Sequence, residues 1–198
     1  MLRRESMILL IGVVLVSIGL GYLVGGRLSG FERFRLRWWF LAFAGLALQL
    51  APLPADLATE GLIASYVMLL VFMAVNLRAP GVWLILIGLA LNLAVIAPND
   101  GMPVSRSALV ASGQASTLTE LENGAGTKHH LEASDDVLTP LADVIAIGGP
   151  VNQVASAGDV LVYAGLLWLI VGVMRGARRV DPAPPWVAYQ GRHRASAS

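Results

Sequence analysis

Five stretches of the chain are almost uninterruptedly apolar, and the interval between the fourth and fifth is not. The runs cover about residues 7–24, 38–53, 62–75, 82–97 and 160–174. None alternates apolar and polar positions with a period of two, so barrel strands fit poorly. A helix that crosses a bilayer wants about 20 apolar residues, and the flanks of the shorter runs supply the difference. Only helices and closed barrels satisfy their backbone polar groups inside lipid. The pattern therefore predicts an all-α integral membrane protein. It has five transmembrane helices and a long, partly helical extracytoplasmic loop, about residues 98–157, between helices four and five. The membrane domain is expected over 1–179. A disordered cytoplasmic tail rich in proline and small residues is expected over 180–198.

Composition sharpens this picture. Hydrophobic residues make up 56% of the 198 and charged residues only 14%, against about 25% charged in a typical soluble domain. Membrane lipid is thus the first partner. The net charge of +1 gives no basic signal for nucleic acid. With no cysteine, disulfides, thiolate metal sites and cysteine nucleophiles are excluded. No cofactor is expected.

Charge sets an orientation. Arg27, Arg33, Arg35 and Arg37 fall in the first connection, Arg78 in the third, and Arg175, Arg178 and Arg179 after the fifth helix. Five crossings put all of these on one side, which the positive-inside rule assigns to the cytoplasm. The same electrostatics would serve contact with anionic lipid. Asp56, Glu60 and the acidic loop fall on the other side. The plasma membrane is the expected location, with the loop outside and the C-terminus inside. Arg3 and Arg4 run against an outer N-terminus, and a start at Met7 would remove both. Trp38 and Trp39 beside Arg37 read as an interfacial belt.

Small residues recur at helical spacing, as Ser17, Gly21 and Gly25, then Gly165, Gly172 and Gly176. Such faces let helices approach closely. Packing within the chain is the simpler use. Self-association through Gly21, Gly25, Gly172 and Gly176 is the alternative.

A loop of this length carries function or its own structure. Ser105 can cap a short helix over "RSALVASG", and Thr117 with Glu120 fits a capping box. "ENGAGTKHH" reads as a glycine-rich turn. Asn99-Asp100-Gly101 is a turn signature. It serves as a helix stop, or it points Asn99 and Asp100 into a polar site that binds a ligand. Asp159 opens the fifth helix. Ser156-x-x-Asp159 is a capping-box pattern, and a carboxylate at membrane depth is also a functional candidate. Asp143 sits in an apolar stretch and needs a partner or a raised pKa. Lys128, His129 and His130 are the candidates. His129 and His130 are also ligand-binding candidates. Asp135 and Asp136 could add oxygens, but the spacing matches no zinc signature, and no metal site is assigned. Asn76 and Asn92, inside apolar runs, read as interhelical glue.

The ordered landmarks "PNDGMPVS", "KHH", "LTPLADVIAI" and "VASAGDVLVYAG" resemble a bacterial family of polytopic membrane proteins. That family is known only as a domain of unknown function, number fifty-three seventeen. The resemblance runs from the first helix to the fifth and implies a topology, not an activity. The family turn is closer to Asn-Gly-Gly, so Asp100 departs from it. A local stretch, "LADVIAIGGPVNQVASAGDVLVYAG", also resembles the last landmark of lipoprotein signal peptidases. That likeness implies an aspartic dyad in which two carboxylates share one proton. Asp159 matches the residue that opens the final helix there, and Asp143 a non-catalytic position. The partner's Asn-x-x-Asp-Arg context is missing, leaving Asp135 or Asp136 near its place.

Three functions follow. The favoured one is a membrane protein of unknown activity that binds a partner, lipid or small ligand through its outer loop. The second is an intramembrane hydrolase using Asp159 with Asp143 or Asp136. The third is a small transporter, against which the scarcity of charge inside the helices weighs.

Overall fold

The computed structural model describes residues 2–123, 128–149 and 151–176. The tail over 180–198, Arg178, Arg179 and the "GAGT" part of the glycine-rich turn lie outside the described residues. Among the described residues eight α-helices form: α1 Leu2–Leu23, α2 Gly30–Arg33, α3 Trp39–Leu50, α4 Ala55–Val75, α5 Val82–Ile96, α6 Arg106–Ser112, α7 Ala115–Glu122 and α8 Ala157–Gly176. The long ones fall on the five apolar runs. The third of these, α4, begins seven residues before the expected start of its run, directly after Pro54 at its N-cap. Two helices, α4 from Asp56 and α8, are long and apolar enough to cross a membrane. Ile8–Leu23 of α1, α3 and α5 are shorter apolar helices.

The interval between α5 and α8 is not all-α. It contains β1 Met102–Val104, β2 His129–Leu131, β3 Ile145–Ile147 and β4 Gln153–Ala155. β1 pairs in parallel with β2, and β3 antiparallel with β4. Asp143 bridges Val104 on the other edge of β1. The segment is thus a mixed α/β module with its own core, formed by Val104, Ala108, Leu109, Leu121 and Val154. Thr117 does not cap a helix. α7 starts at Ala115, and Thr117 is buried inside it. Ser105 does stand at the N-cap of α6, but its hydroxyl bonds Ser107 and not the helix backbone.

The long helices pack in the sequence α3, α4, α5, α8, α1. Glycine makes the central contact. Gly158, Gly165 and Gly172 recur every seven residues on α8, and Gly81 at the N-cap of α5 and Gly88 within it have the same spacing. The two helices run antiparallel, so Gly88 meets Gly158, Gly81 meets Gly165, and Pro80 meets Gly172. A methyl group on Gly158 would overlap the Gly88 carbonyl and the Asn92 amide. Gly21 packs on Met174 and Gly172 on Pro80, so both are occupied inside the chain. Gly25 forms a left-handed turn after α1, and Gly176 meets open space.

The connections sort by charge. The Arg27 amide donates to the Met174 carbonyl at 2.9 Å, and Asn76 binds Arg37. With Pro80 on Gly172, these contacts gather Arg27, Arg37, Arg78 and Arg175 at one end of the bundle. The α/β module sits at the other.

Candidate functional site

The module meets the bundle where α5 ends and α8 begins. Asp159 and Ser156 form the reciprocal cap expected there. The Asp159 amide donates to Ser156 Oγ at 2.9 Å, and the Ser156 amide donates to Asp159 Oδ2 at 3.1 Å. Asn92, on α5 and only 2% exposed, closes a ring. Its Nδ2 donates to Asp159 Oδ1 at 2.8 Å, and its Oδ1 accepts from Ser156 Oγ at 2.8 Å. Every polar atom of the Asn92–Ser156 contact is thereby paired, which a buried group requires. Asn92 is interhelical glue, as read from its place in the run.

Asp143 lies in the field of Asp159. Its side chain is 11% exposed, and His129 Nε2 stands 3.8 Å from its Oδ2. Burial first, and the Asp159 charge second, push the Asp143 carboxyl well above the usual range. Desolvation lowers the His129 pKa, although one edge of the ring reaches solvent. Both shifts favour neutral forms, so the contact is a polar pair between a carboxyl and an imidazole more than an ion pair. Tyr66 from α4 and Tyr163 from α8 lie in the same electrostatic neighbourhood. Sequence reasoning passed over both; a lone tyrosine inside an apolar run was the available signal.

His130 goes elsewhere. Successive strand residues point to opposite faces, so His130 Nε2 meets Asp136 Oδ1 at 3.0 Å while His129 meets Asp143. Asp136 also accepts the Ala133 amide at 2.8 Å. Asp135 is exposed. Among the described residues no group of three or more His, Asp or Glu side chains is placed to hold a metal. Lys128 turns from Asp143 to the Gln49 carbonyl at the C-terminus of α3, where a cation suits the helix dipole.

The turn after α5 is structural in its geometry. Asp100 adopts a left-handed backbone at φ 51°, and Gly101 follows at φ 148°. The Asp100 side chain is exposed, and its carbonyl accepts from Thr59 Oγ1 at 3.0 Å. Asn99 Nδ2 donates to Val95 O at 2.8 Å and Val137 O at 2.9 Å, and Oδ1 accepts the Val137 amide at 2.9 Å. The Met102 amide then donates to the Lys128 carbonyl at 2.9 Å, and Met102 pairs with His129 to start the sheet. The abrupt Asn-Asp-Gly ending thus turns the chain from helix into strand and clamps the far side of the module.

Asp159 and Asp143 are therefore brought near one junction, and Asp136 is taken into a separate His130 contact. No hydrogen bond joins Asp143 to Asp159 among the described residues. Both Asp159 oxygens are occupied by Asn92 and Ser156.

Residues 33–171 match a family of unknown function, DUF5317, and the chain belongs to it. No curated protein and no solved structure matches, so these comparisons lend no support to the lipoprotein signal peptidase likeness.

Proposed function

We propose that this chain is a five-span plasma-membrane protein whose outer α/β module binds a small amphipathic ligand or partner segment. The C-terminus is cytoplasmic. One observation carries the membrane reading. Only 28% of each long apolar window is buried, whereas the core helix of a soluble protein is buried nearly all round. Large apolar side chains such as Leu15, Phe43, Val67, Ile87 and Trp168 stand exposed on all five long helices. A soluble monomer rarely exposes so much contiguous apolar surface. α3 is short, about 18 Å at 1.5 Å per residue. Residues 51–54 bend after it, with the Leu53 amide donating to the Ala51 carbonyl at 2.9 Å, so α3 itself covers part of the hydrocarbon thickness of about 30 Å.

The binding reading rests on a cleft of about 610 Å³ in the module, lined by Ser105, Arg106, Ser107, Val110, Ala111 and Glu132. It offers two hydroxyls, both signs of charge and an apolar wall. Val110 is 63% exposed there. The test uses a deletion strain with a measurable defect. Val110→Arg should abolish rescue at normal membrane abundance, whereas Glu120→Arg, on the exposed surface of α7, should not. Full rescue by Val110→Arg, or by a chain lacking 105–155, would sink the reading.

A second reading is an intramembrane hydrolase built on Asp159 and Asp143. It draws support from their electrostatic coupling. Asp159→Asn separates the two, because a hydrolase would lose its reaction while a binding module would keep its ligand.

A further inference from the structure

At the end of the bundle opposite the module, a second cleft of about 540 Å³ opens between the α2–α3 connection and the α4–α5 turn. We infer that this cleft is a site for the phosphate headgroup of an anionic phospholipid. Arg35, Arg37 and Arg78 line it, with a floor that includes Phe34, Val75 and Pro80. No acidic side chain is among the described residues that line it, and none of the three arginines forms an ion pair with a carboxylate among the described residues.

The arginines do not converge by accident of loop drift. Asn76, buried at the C-cap of α4, takes the Arg37 amide on Oδ1 at 2.8 Å. Its Nδ2 donates to the Arg37 carbonyl at 2.9 Å and the Phe72 carbonyl at 2.8 Å. That clamp ties the chain bearing Arg35 and Arg37 to the turn bearing Arg78. Arg35 is steadied by its own bond to the Glu32 carbonyl at 3.0 Å. The clamp fixes the backbone that carries Arg37, and the bond to Glu32 fixes the Arg35 guanidinium itself. A guanidinium suits phosphate because its planar fork matches the oxygens two at a time.

An independent observation favours lipid over a soluble phosphate. Trp38 and Trp39 stand exposed beside Arg37, and Trp83 stands one turn from Pro80, edge-on to Trp168 at 6.0 Å. Tryptophan collects at the level of the headgroups. Four tryptophans thus stand exposed on the elements at or near the end of the bundle where the cleft opens, together with Phe40 and Leu77. This inference rests on the membrane reading above.

The experiment begins with alkaline carbonate extraction of membranes carrying the full-length protein. The protein is then released from nanodiscs of equal phosphatidylglycerol and phosphatidylcholine into a native mass spectrometer. Retention of phosphatidylglycerol over phosphatidylcholine is expected. The variant carrying Arg35→Gln, Arg37→Gln and Arg78→Gln should lose that preference by at least about tenfold. Arg78→Gln alone, at an exposed turn position, should lose part of it. The variant with all three arginines changed to lysine should keep part, because charge remains while the fork is gone. Equal retention by wild type and the triple glutamine variant would overturn the site. Tight binding of inorganic phosphate in lipid-free detergent, with no preference between the lipids, would also overturn it in favour of a soluble anion. Extraction by carbonate would instead refute the membrane reading itself.

Discussion

Asn99 holds both backbone groups of Val137, thirty-eight residues away, donating to its carbonyl and accepting its amide at 2.9 Å each. Asn76 holds both backbone groups of Arg37 in the same manner at the opposite end of the bundle. Each asparagine lies just beyond a long helix and fixes a connection to it by a two-point amide contact. Two such bonds contribute roughly 2 kcal/mol together. Asn99→Ala should lower the stability of the module by about that amount, and protease cleavage near residues 133–138 should rise. Unchanged protection there would show that the clamp is dispensable.

The ring of Asn92, Ser156 and Asp159 gives a second expectation. Asp159→Asn replaces a charged acceptor at a helix N-terminus, which costs about 1 kcal/mol, and leaves the shape intact. Asn92→Leu strands the Ser156 hydroxyl and one Asp159 oxygen inside the fold, so it should cost more, about 2–3 kcal/mol. Thermal melts of both variants in detergent would rank them. The reverse order would show that Asp159 carries more than a cap.

Asp143 and His129 set opposite pH dependences. The folded chain holds the Asp143 proton more tightly than the unfolded chain, so stability falls as pH rises from 3.8 toward the raised value. The folded chain holds the His129 proton less tightly, so stability falls as pH drops below 6.5. Asp143→Asn removes only the first effect. Its melting temperature relative to wild type should climb as pH rises from 3.8 toward the raised Asp143 value. A constant difference across that range would mean Asp143 titrates normally.

Much of this was legible in the residues, and the reasons are physical. Long apolar runs mark helices whatever surrounds them, so all five were found within a few positions, except that α4 starts earlier, directly after Pro54. Ser156 and Asp159 form a cap because a local pattern needs only local geometry. Thr117 and Glu120 showed the same pattern and failed, since burying Thr117 against the module decided where α7 starts. The four strands were missed because three residues give no usable period and each is made by a distant partner. For the same reason His129 and His130 could not be assigned to Asp143 and Asp136 until the strand set them on opposite faces. The legible part of the candidate site was Asp159 with its cap and the need of Asp143 for a partner. The contribution of Asn92 to the ring required knowing that Gly88 and Gly158 let the helices touch.

The glycine contact makes its own forecast. Gly158→Ala would press a methyl group into the Asn92 amide and the Gly88 carbonyl, which overpacking data place at about 1–3 kcal/mol. Gly12→Ala and Gly19→Ala meet nothing within 4 Å and should be neutral or slightly stabilising. Equal effects at all three positions would refute the close packing of α5 on α8.

The most direct test of the whole arrangement uses the absence of cysteine in the chain. Single cysteines at Asp56, Ser107, Leu28 and Leu77 would be probed in intact cells with a membrane-impermeant maleimide. Asp56→Cys and Ser107→Cys should label at once, and Leu28→Cys and Leu77→Cys only after the membrane is permeabilised. Labelling of Asp56→Cys and Leu77→Cys from the same side would remove α4 as a crossing and contradict the five-span arrangement.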